Sequence, residues 1–395
     1  MINVAIVVSL VAVAGLLVWP RVANAPLWRA TVTPLASIIG SGFLVLGPIL
    51  DVSFGIWTPL AMAALCAVAY AFGWAVRHNI AAEARGSAGP KDRLEQGANL
   101  VLAFAYFISV AYYLNLFGAF AVSLTPFDTE FVARMVTTGV FVIILVVGFT
   151  KGFRALERME QVSVGIKLAI IAGLIVGLAW HFGGEASGGR LVFNAPSVGG
   201  WQAVTLLFGL IVTVQGFETS RYLGATYDAA TRVRSMRLAQ WISTAIYMAY
   251  IVLIAYSFRP DQLSLEETAI IDMMSVVAPV LPALLVAAAL AAQFSAAVAD
   301  TSGAGGLVRE VSGGKVPAKF AYVLLVAVGL LLTWGFDVYQ IISYASRAFA
   351  AYYALQALIA AVLARKEGGW KVWAFGALAL LGVAITVLGR AVEGG

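Results

Sequence analysis

Most of the chain alternates between apolar stretches of roughly 20 residues and short polar or basic clusters. An α-helix of that length crosses about 30 Å of hydrocarbon. Twelve such stretches can be marked, the first numbered zero. Span zero covers about 2–19, span 1 about 30–50, span 2 about 54–76, span 3 about 97–123, span 4 about 130–149 and span 5 about 160–182. Spans 6 to 11 follow at about 201–226, 235–257, 273–306, 318–335, 338–364 and 370–389. Two of them are interrupted. Ile38-Ile39-Gly40-Ser41-Gly42-Phe43 cuts span 1, and Thr213-Val214-Gln215-Gly216-Phe217-Glu218 cuts span 6. A break inside hydrocarbon frees backbone N–H and C=O groups that must find a side chain, each other or a ligand. A matched pair of breaks in two halves of a chain points to a transporter's binding site.

Composition excludes an ordinary globule: 62% of residues are hydrophobic, 11% are charged and mean hydropathy is +0.93, against about 25% charged in soluble domains. A single cysteine, Cys66, rules out a disulfide framework. His78 and His181 have no metal-ligand spacing and no H-E-x-x-H pattern is present, so neither a metal nor a cofactor is expected, nor an enzyme. The net charge of +5 is dispersed among loops, which argues against nucleic acid as a partner.

The basic residues instead report orientation. One set of loops holds Arg21, Arg29; Arg77, Arg85, Lys91, Arg93; Lys151, Arg154, Arg158; Arg232, Arg234, Arg237; Arg309, Lys315, Lys319; and Arg365, Lys366, Lys371. The opposite loops hold Arg134, Arg190, Arg259 and Arg390, with acidic runs at 128–130 and 263–272. Lysine and arginine stay on the cytoplasmic side, so a multi-pass protein of the cell membrane with both termini outside is expected. Val22-Ala23-Asn24-Ala25 has an A-x-A pattern that could end a secretory signal, but no positive charge precedes the run. Span zero therefore reads as a retained helix. The Gly/Ser-rich stretch 183–200 reads as a mobile outer loop.

The chemistry gathers at the breaks. A half-helix starting near Gly42 aims its N–H groups and positive dipole end at any pocket there, which suits a carboxylate. Carbonyls of the preceding half, around Ser37–Ile39, suit an ammonium or cation, so a zwitterion fits both ends. Small-residue helix packing is the competing explanation of the glycines. Glu218 is an ionisable residue at membrane depth, either a contact for an amine or proton or a partner that holds the break together. Lys167, about two turns into span 5, either snorkels to the interface or fills the place of a coupled sodium. Span 8 offers Gln293, Ser295 and Asp300, the last a candidate gate ion pair. Arg347, deep in span 10, is a candidate charge partner for Glu218 or for an acidic substrate group. Tyr106, Tyr112, Tyr113 and Asn115 of span 3 are candidate pocket or gate residues, and Phe208 and Phe217 are candidates to pack over a solute.

Taken in order, these segments resemble the amino acid–polyamine–organocation (APC) superfamily of transporters, whose fold is of the LeuT type. Ile39-Gly40-Ser41-Gly42-Phe43 is similar to the family's broken first helix, and Gly216-Phe217-Glu218 to its break in helix 6. Lys167 lies in a stretch similar to the helix 5 lysine of sodium-independent members, and Ser295 where helix 8 approaches the same place. Gly152-Phe153-Arg154 and Gly313-Gly314-Lys315-Val316-Pro317 resemble the connecting loops.

The resemblance implies an all-α integral membrane protein of about 12 transmembrane helices. It would be a five-plus-five inverted repeat with broken helices 1 and 6, plus one helix before and one after the core. The divisions are 1–29, 30–182, 183–365 and 366–395. Ile39, Gly40, Ser41, Gly42, Phe43, Thr213, Gln215, Gly216, Phe217 and Glu218 become the expected substrate site. Lys167 and Ser295 become the expected sodium-site substitute, and Arg347, Asp300 and Tyr106 gate or charge partners. The implied function is sodium-independent permeation of amino acids or related amine-bearing solutes, proton-coupled or by exchange. A sodium symporter of the same fold and a non-transporting sensor or scaffold are the alternatives.

Overall fold

Uninterrupted apolar runs form long helices, and proline and glycine set where they stop. The computed structural model describes residues 1–40, 42–86, 91–150, 154–263, 265–365 and 367–392. Ser41, Lys151, Gly152, Phe153 and Lys366 of the sequence reading lie outside the described residues, as do the side chains of residues 91, 92, 154–162 and 225. The helices are α1 Ile2–Val18, α2 Pro20–Ala23, α3 Pro26–Ile38, α4 Gly42–Phe54, α5 Thr58–Ala84, α6 Lys91–Val122, α7 Glu130–Thr150 and α8 Arg154–Ser187. They continue with α9 Gly200–Gly209, α10 Ala229–Ala255, α11 Ala269–Val277, α12 Leu281–Val311, α13 Ala318–Gly335, α14 Val338–Ala364 and α15 Lys371–Leu388. Among the described residues there is no strand, and nine stretches are long and apolar enough to cross a membrane. Adding the shorter α1 and the two interrupted spans accounts for the expected twelve.

Three boundaries differ from the sequence reading. Span 8 is two helices, because Ala278 is extended (φ −160, ψ 136) between α11 and α12. Pro279 follows, and a residue before proline is pushed out of the α region. Span 6 keeps only ten helical residues in α9; beyond it, Ile211–Val214 and Phe217–Ala225 are 3-10 segments. The outer stretch after α8 is tied down rather than loose. Val192 N–H bonds Tyr256 O at 3.1 Å, Asn194 O accepts from Ile56 N–H at 2.9 Å, and Ser53 O accepts from both Ser197 and Val198 N–H.

Elements of the two halves of the chain pack against each other. α3 packs on the 3-10 segment Phe217–Ala225, α5 on α10, α6 on α12 and α7 on α13. Each pair joins one element of the first half of the chain to one of the second. The broken elements sit innermost: residues 30–32 and 34–38 of α3, and all of α4 but Val52, are buried. On the periphery, apolar side chains face outward, including Val142, Val146, Leu331, Leu380 and Val383, as hydrocarbon-facing helices require. Outside the ten-helix core, α15 packs on α14 and α1 on α8. Gly173 and Gly177 of α8, one helical turn apart, receive Ile6 of α1, which is fully buried. Small residues at that spacing let two membrane helices approach closely.

Candidate functional site

The first break runs from the end of α3 to Gly42. Ile39 N–H still bonds Leu35 O at 2.9 Å, but Ile39 leaves the helical region (φ −83, ψ 65). The carbonyls of Ala36, Ile38 and Ile39 thereby lose their intrahelical partners. Side chains from two other helices replace them. Lys167 Nζ of α8 donates to Ala36 O at 2.9 Å and Ile39 O at 2.5 Å, and Tyr247 Oη of α10 donates to Ile38 O at 2.5 Å. Lys167 is 1% exposed, so its stem does not snorkel to the interface. Of the carbonyls that the sequence reading offered to a substrate ammonium, those of Ile38 and Ile39 are already occupied by the protein's own donors.

The second break depends on Gly216. Its φ of +114 lies in the left-handed region, and a Cβ there would come within 2.6 Å of the Ser37 backbone carbon. Only glycine combines that angle with that approach. Gly216 N–H donates to Glu218 Oε2 at 3.0 Å, and Tyr353 Oη of α14 donates to the same oxygen at 2.8 Å. Glu218 thus closes the turn over its own break. Its other oxygen is buried without a hydrogen-bond partner among the described residues. Phe217 stacks on Tyr353 with ring centres 5.0 Å apart. Upstream, Ser346 Oγ of α14 accepts from Val212 N–H at 3.0 Å and donates to Gly209 O at 2.7 Å. Thr213 Oγ1 donates to Leu210 O at 2.6 Å, and Thr213 O takes the Tyr247 hydroxyl at 3.1 Å.

Between the breaks, Gln215 Nε2 donates to Tyr113 Oη at 3.2 Å. Phe43 stacks against Tyr247 at 5.7 Å and meets Tyr250 edge-on at 5.1 Å. A Cβ added to Gly42 would overlap the Tyr112 hydroxyl. That hydroxyl and Gln215 Oε1 are buried and have no hydrogen-bond partner among the described residues. The positive end of α4 therefore faces buried, unsatisfied polar groups, a combination that native interiors keep for water, an ion or a ligand. Beside Gly40, the Tyr113 ring lies 3.5 Å from where a Cβ would sit.

A cavity of about 980 Å³ lies between α3, α6, α8, α12 and the 3-10 segment Phe217–Ala225. Ser37, Tyr106, Thr219, Phe294, Ser295 and Asp300 are among the residues that line it. It extends to Glu310, next to the basic cluster that includes Arg309. Ser295 Oγ donates to Ala292 O of its own helix at 3.0 Å. Asp300 accepts a hydrogen bond from Ser109 of α6, and among the described residues no basic side chain pairs with it. The expected gate ion pair is therefore replaced by a hydroxyl contact.

Arg347 is displaced from its expected partner. Its Nε donates to Thr386 O of α15 at 2.7 Å, so it faces the helix outside the core. Sequence reasoning also missed Tyr247, Tyr250 and Ser109. One signal was available: Pro48 has no N–H, which orphans Leu44 O, and Tyr250 Oη donates there at 2.9 Å.

Two interrupted helices at the centre of a helical bundle, their freed carbonyls bound by side chains, with a cavity beside them, define a membrane transporter architecture. A family profile described as APC superfamily transporter matches residues 20–389, and the chain belongs to that family. It is also similar to an uncharacterized protein of Aquifex aeolicus (strain VF5), at 41% identity over 384 residues, covering 93% of this chain and 92% of that one.

Proposed function

We propose that this transporter moves amino acids or related amine-bearing solutes across the cell membrane by alternating access, independently of sodium, with protons or exchange as the driving force. The observation that carries the reading is the Lys167 ammonium on the Ala36 and Ile39 carbonyls. A fixed positive charge on carbonyls freed by a broken helix removes the acceptors a coupled cation would use. The solute's carboxylate would lie at the start of α4, beside Tyr112 and Gln215, where dipole and N–H groups favour an anion. The cavity adjoins the basic loops, which the distribution of Lys and Arg assigns to the cytoplasm. The conformation then reads as open inward, with both termini outside and the path beyond Phe43 packed shut.

Proteoliposomes made with the purified protein and loaded with labelled amino acids and amines provide the test. Uptake that persists when sodium is replaced by choline, and responds to a pH gradient or to solute inside, is expected. Strict dependence on sodium would overturn the coupling; no flux of any amine-bearing solute would overturn the substrate reading.

A further inference from the structure

We propose that Asp300 is an ammonium subsite in the cavity wall and that the transported solute carries a net positive charge on an organic amine. This rests on the transporter reading and narrows it. Asp300 is 3% exposed. Its Oδ2 accepts from Ser109, which fixes the carboxylate's orientation. Its Oδ1 has no partner among the described residues, and the side chain lines the cavity. An unpaired carboxylate at this depth in a membrane protein is costly and marks a substrate or ion path.

The rest of the wall has the same sign. Glu310 also lines the cavity, and among the described residues no lysine or arginine does. The cations on neighbouring elements are committed elsewhere: buried Lys167 to the Ala36 and Ile39 carbonyls, and half-buried Arg221 to Glu95 at 2.7 Å and to Gln356. A cavity of one sign between apolar walls concentrates solutes of the opposite sign.

The chemistry around Asp300 favours an amine over a metal ion. Tyr106, Tyr222 and Phe294 contribute rings to the wall, and aromatic faces attract organic cations. No group of three or more His, Cys, Asp or Glu side chains able to hold a metal occurs among the described residues. The alternative acceptors for an amine, the Ile38 and Ile39 carbonyls, already hold Tyr247 and Lys167. Asp300 and, nearer the basic loops, Glu310 are the carboxylates that face the cavity.

The experiment compares L-lysine with L-norleucine, which has the same carbon chain but lacks the distal amine, and adds putrescine and L-alanine. Binding is measured on the detergent-purified protein by scintillation proximity and thermal shift; flux is measured by counterflow in proteoliposomes. Lysine and putrescine should bind at least about tenfold more tightly than norleucine, since a charge-assisted contact is lost with the amine. Asp300→Asn should remove that preference, Asp300→Glu should keep part of it, and Ser109→Ala should weaken it. If Asp300→Asn does not fold, the lysine–norleucine ratio of the unmodified protein decides.

Neutral amino acids bound and moved as well as or better than the cationic ones would overturn the subsite while leaving transport in place. Loss of binding of neutral and cationic solutes alike in a folded Asp300→Asn would also overturn it, pointing to a general structural or proton-carrying role. Asp300-dependent binding of putrescine without flux of any solute would support the subsite and count against the transport reading.

Discussion

If Lys167 holds the first break together, removing its ammonium should cost stability that a sodium ion can return. Lys167→Met keeps most of the buried stem and deletes the donors to Ala36 O and Ile39 O. A buried acceptor left unsatisfied costs about 1–3 kcal/mol, so two carbonyls give about 2–6 kcal/mol. Lys167→Ala removes the same donors and also opens space where the ammonium was. Sodium entering that space would re-satisfy the carbonyls; at one hundred times its dissociation constant it would return about 2.7 kcal/mol. The assay is thermal melting in detergent, with sodium chloride against choline chloride at equal ionic strength. Both variants should melt well below the unmodified protein, and sodium should raise Lys167→Ala selectively. Two results would refute the reasoning. One is a Lys167→Met protein that melts within about 1 °C of the original. The other is an unmodified protein that sodium stabilises as much as it stabilises Lys167→Ala.

Tyr250→Phe should cost about 1–3 kcal/mol by orphaning Leu44 O, and adding Pro48→Ala should recover part of that loss by supplying an N–H in the same helix; additive losses in the melting cycle would contradict this account. Gly216→Ala should abolish transport and sharply lower the yield of folded protein, because the new Cβ meets the Ser37 and Ile38 backbone at a φ of +114; fluorescence size-exclusion and uptake check it. Arg347→Gln should leave solute uptake within about twofold of the original and lower the melting temperature slightly, since its described contact is the α15 carbonyl of Thr386. Asp228 caps α10, and the bonds from Thr231 hold its carboxyl below the ordinary range. Its contribution is therefore present above about pH 4 and lost as pH falls through the lower folded value, so Asp228→Ala should show less acid destabilisation than the original in melts taken between those limits.

The sequence carried most of the architecture because its signals are one-dimensional. Hydrocarbon thickness sets the length of each apolar run, Lys and Arg alternate between loops, and glycines mark where two of the runs break. It missed what depends on contacts between distant segments. Nothing near Gly216 in sequence indicates that Tyr353, more than a hundred residues away, satisfies Glu218. Arg347 illustrates the opposite error: a charge deep in a span invited pairing with the known buried acid, but rotation about the helix turned it toward α15. Span 8 ran across Pro279 because apolar character continues there even though the backbone does not. Lys167 was left between two readings, and its burial on two freed carbonyls removes the snorkelling one.

Tyr247 carries the argument one step past the individual breaks. Its hydroxyl lies 2.5 Å from Ile38 O and 3.1 Å from Thr213 O, one carbonyl from each interrupted helix. A hydroxyl has one proton, so the two bonds share it and the shorter one holds the larger part. If α3 swings away, the proton passes to Thr213 O; if the second break shifts, Ile38 O takes it whole. Either displacement therefore loses less than a full hydrogen bond, and a fully orphaned carbonyl, worth about 1–3 kcal/mol, arises only on the side that moves. Lys167 gives separate N–H groups to Ala36 O and Ile39 O, both at the first break. The ammonium on α8 and the hydroxyl on α10 thus keep the broken backbone satisfied, and the shared hydroxyl proton lowers the cost of moving one half-helix past the other. A broken helix that moves within hydrocarbon needs that combination, because no water is present to take over the bonds that motion releases.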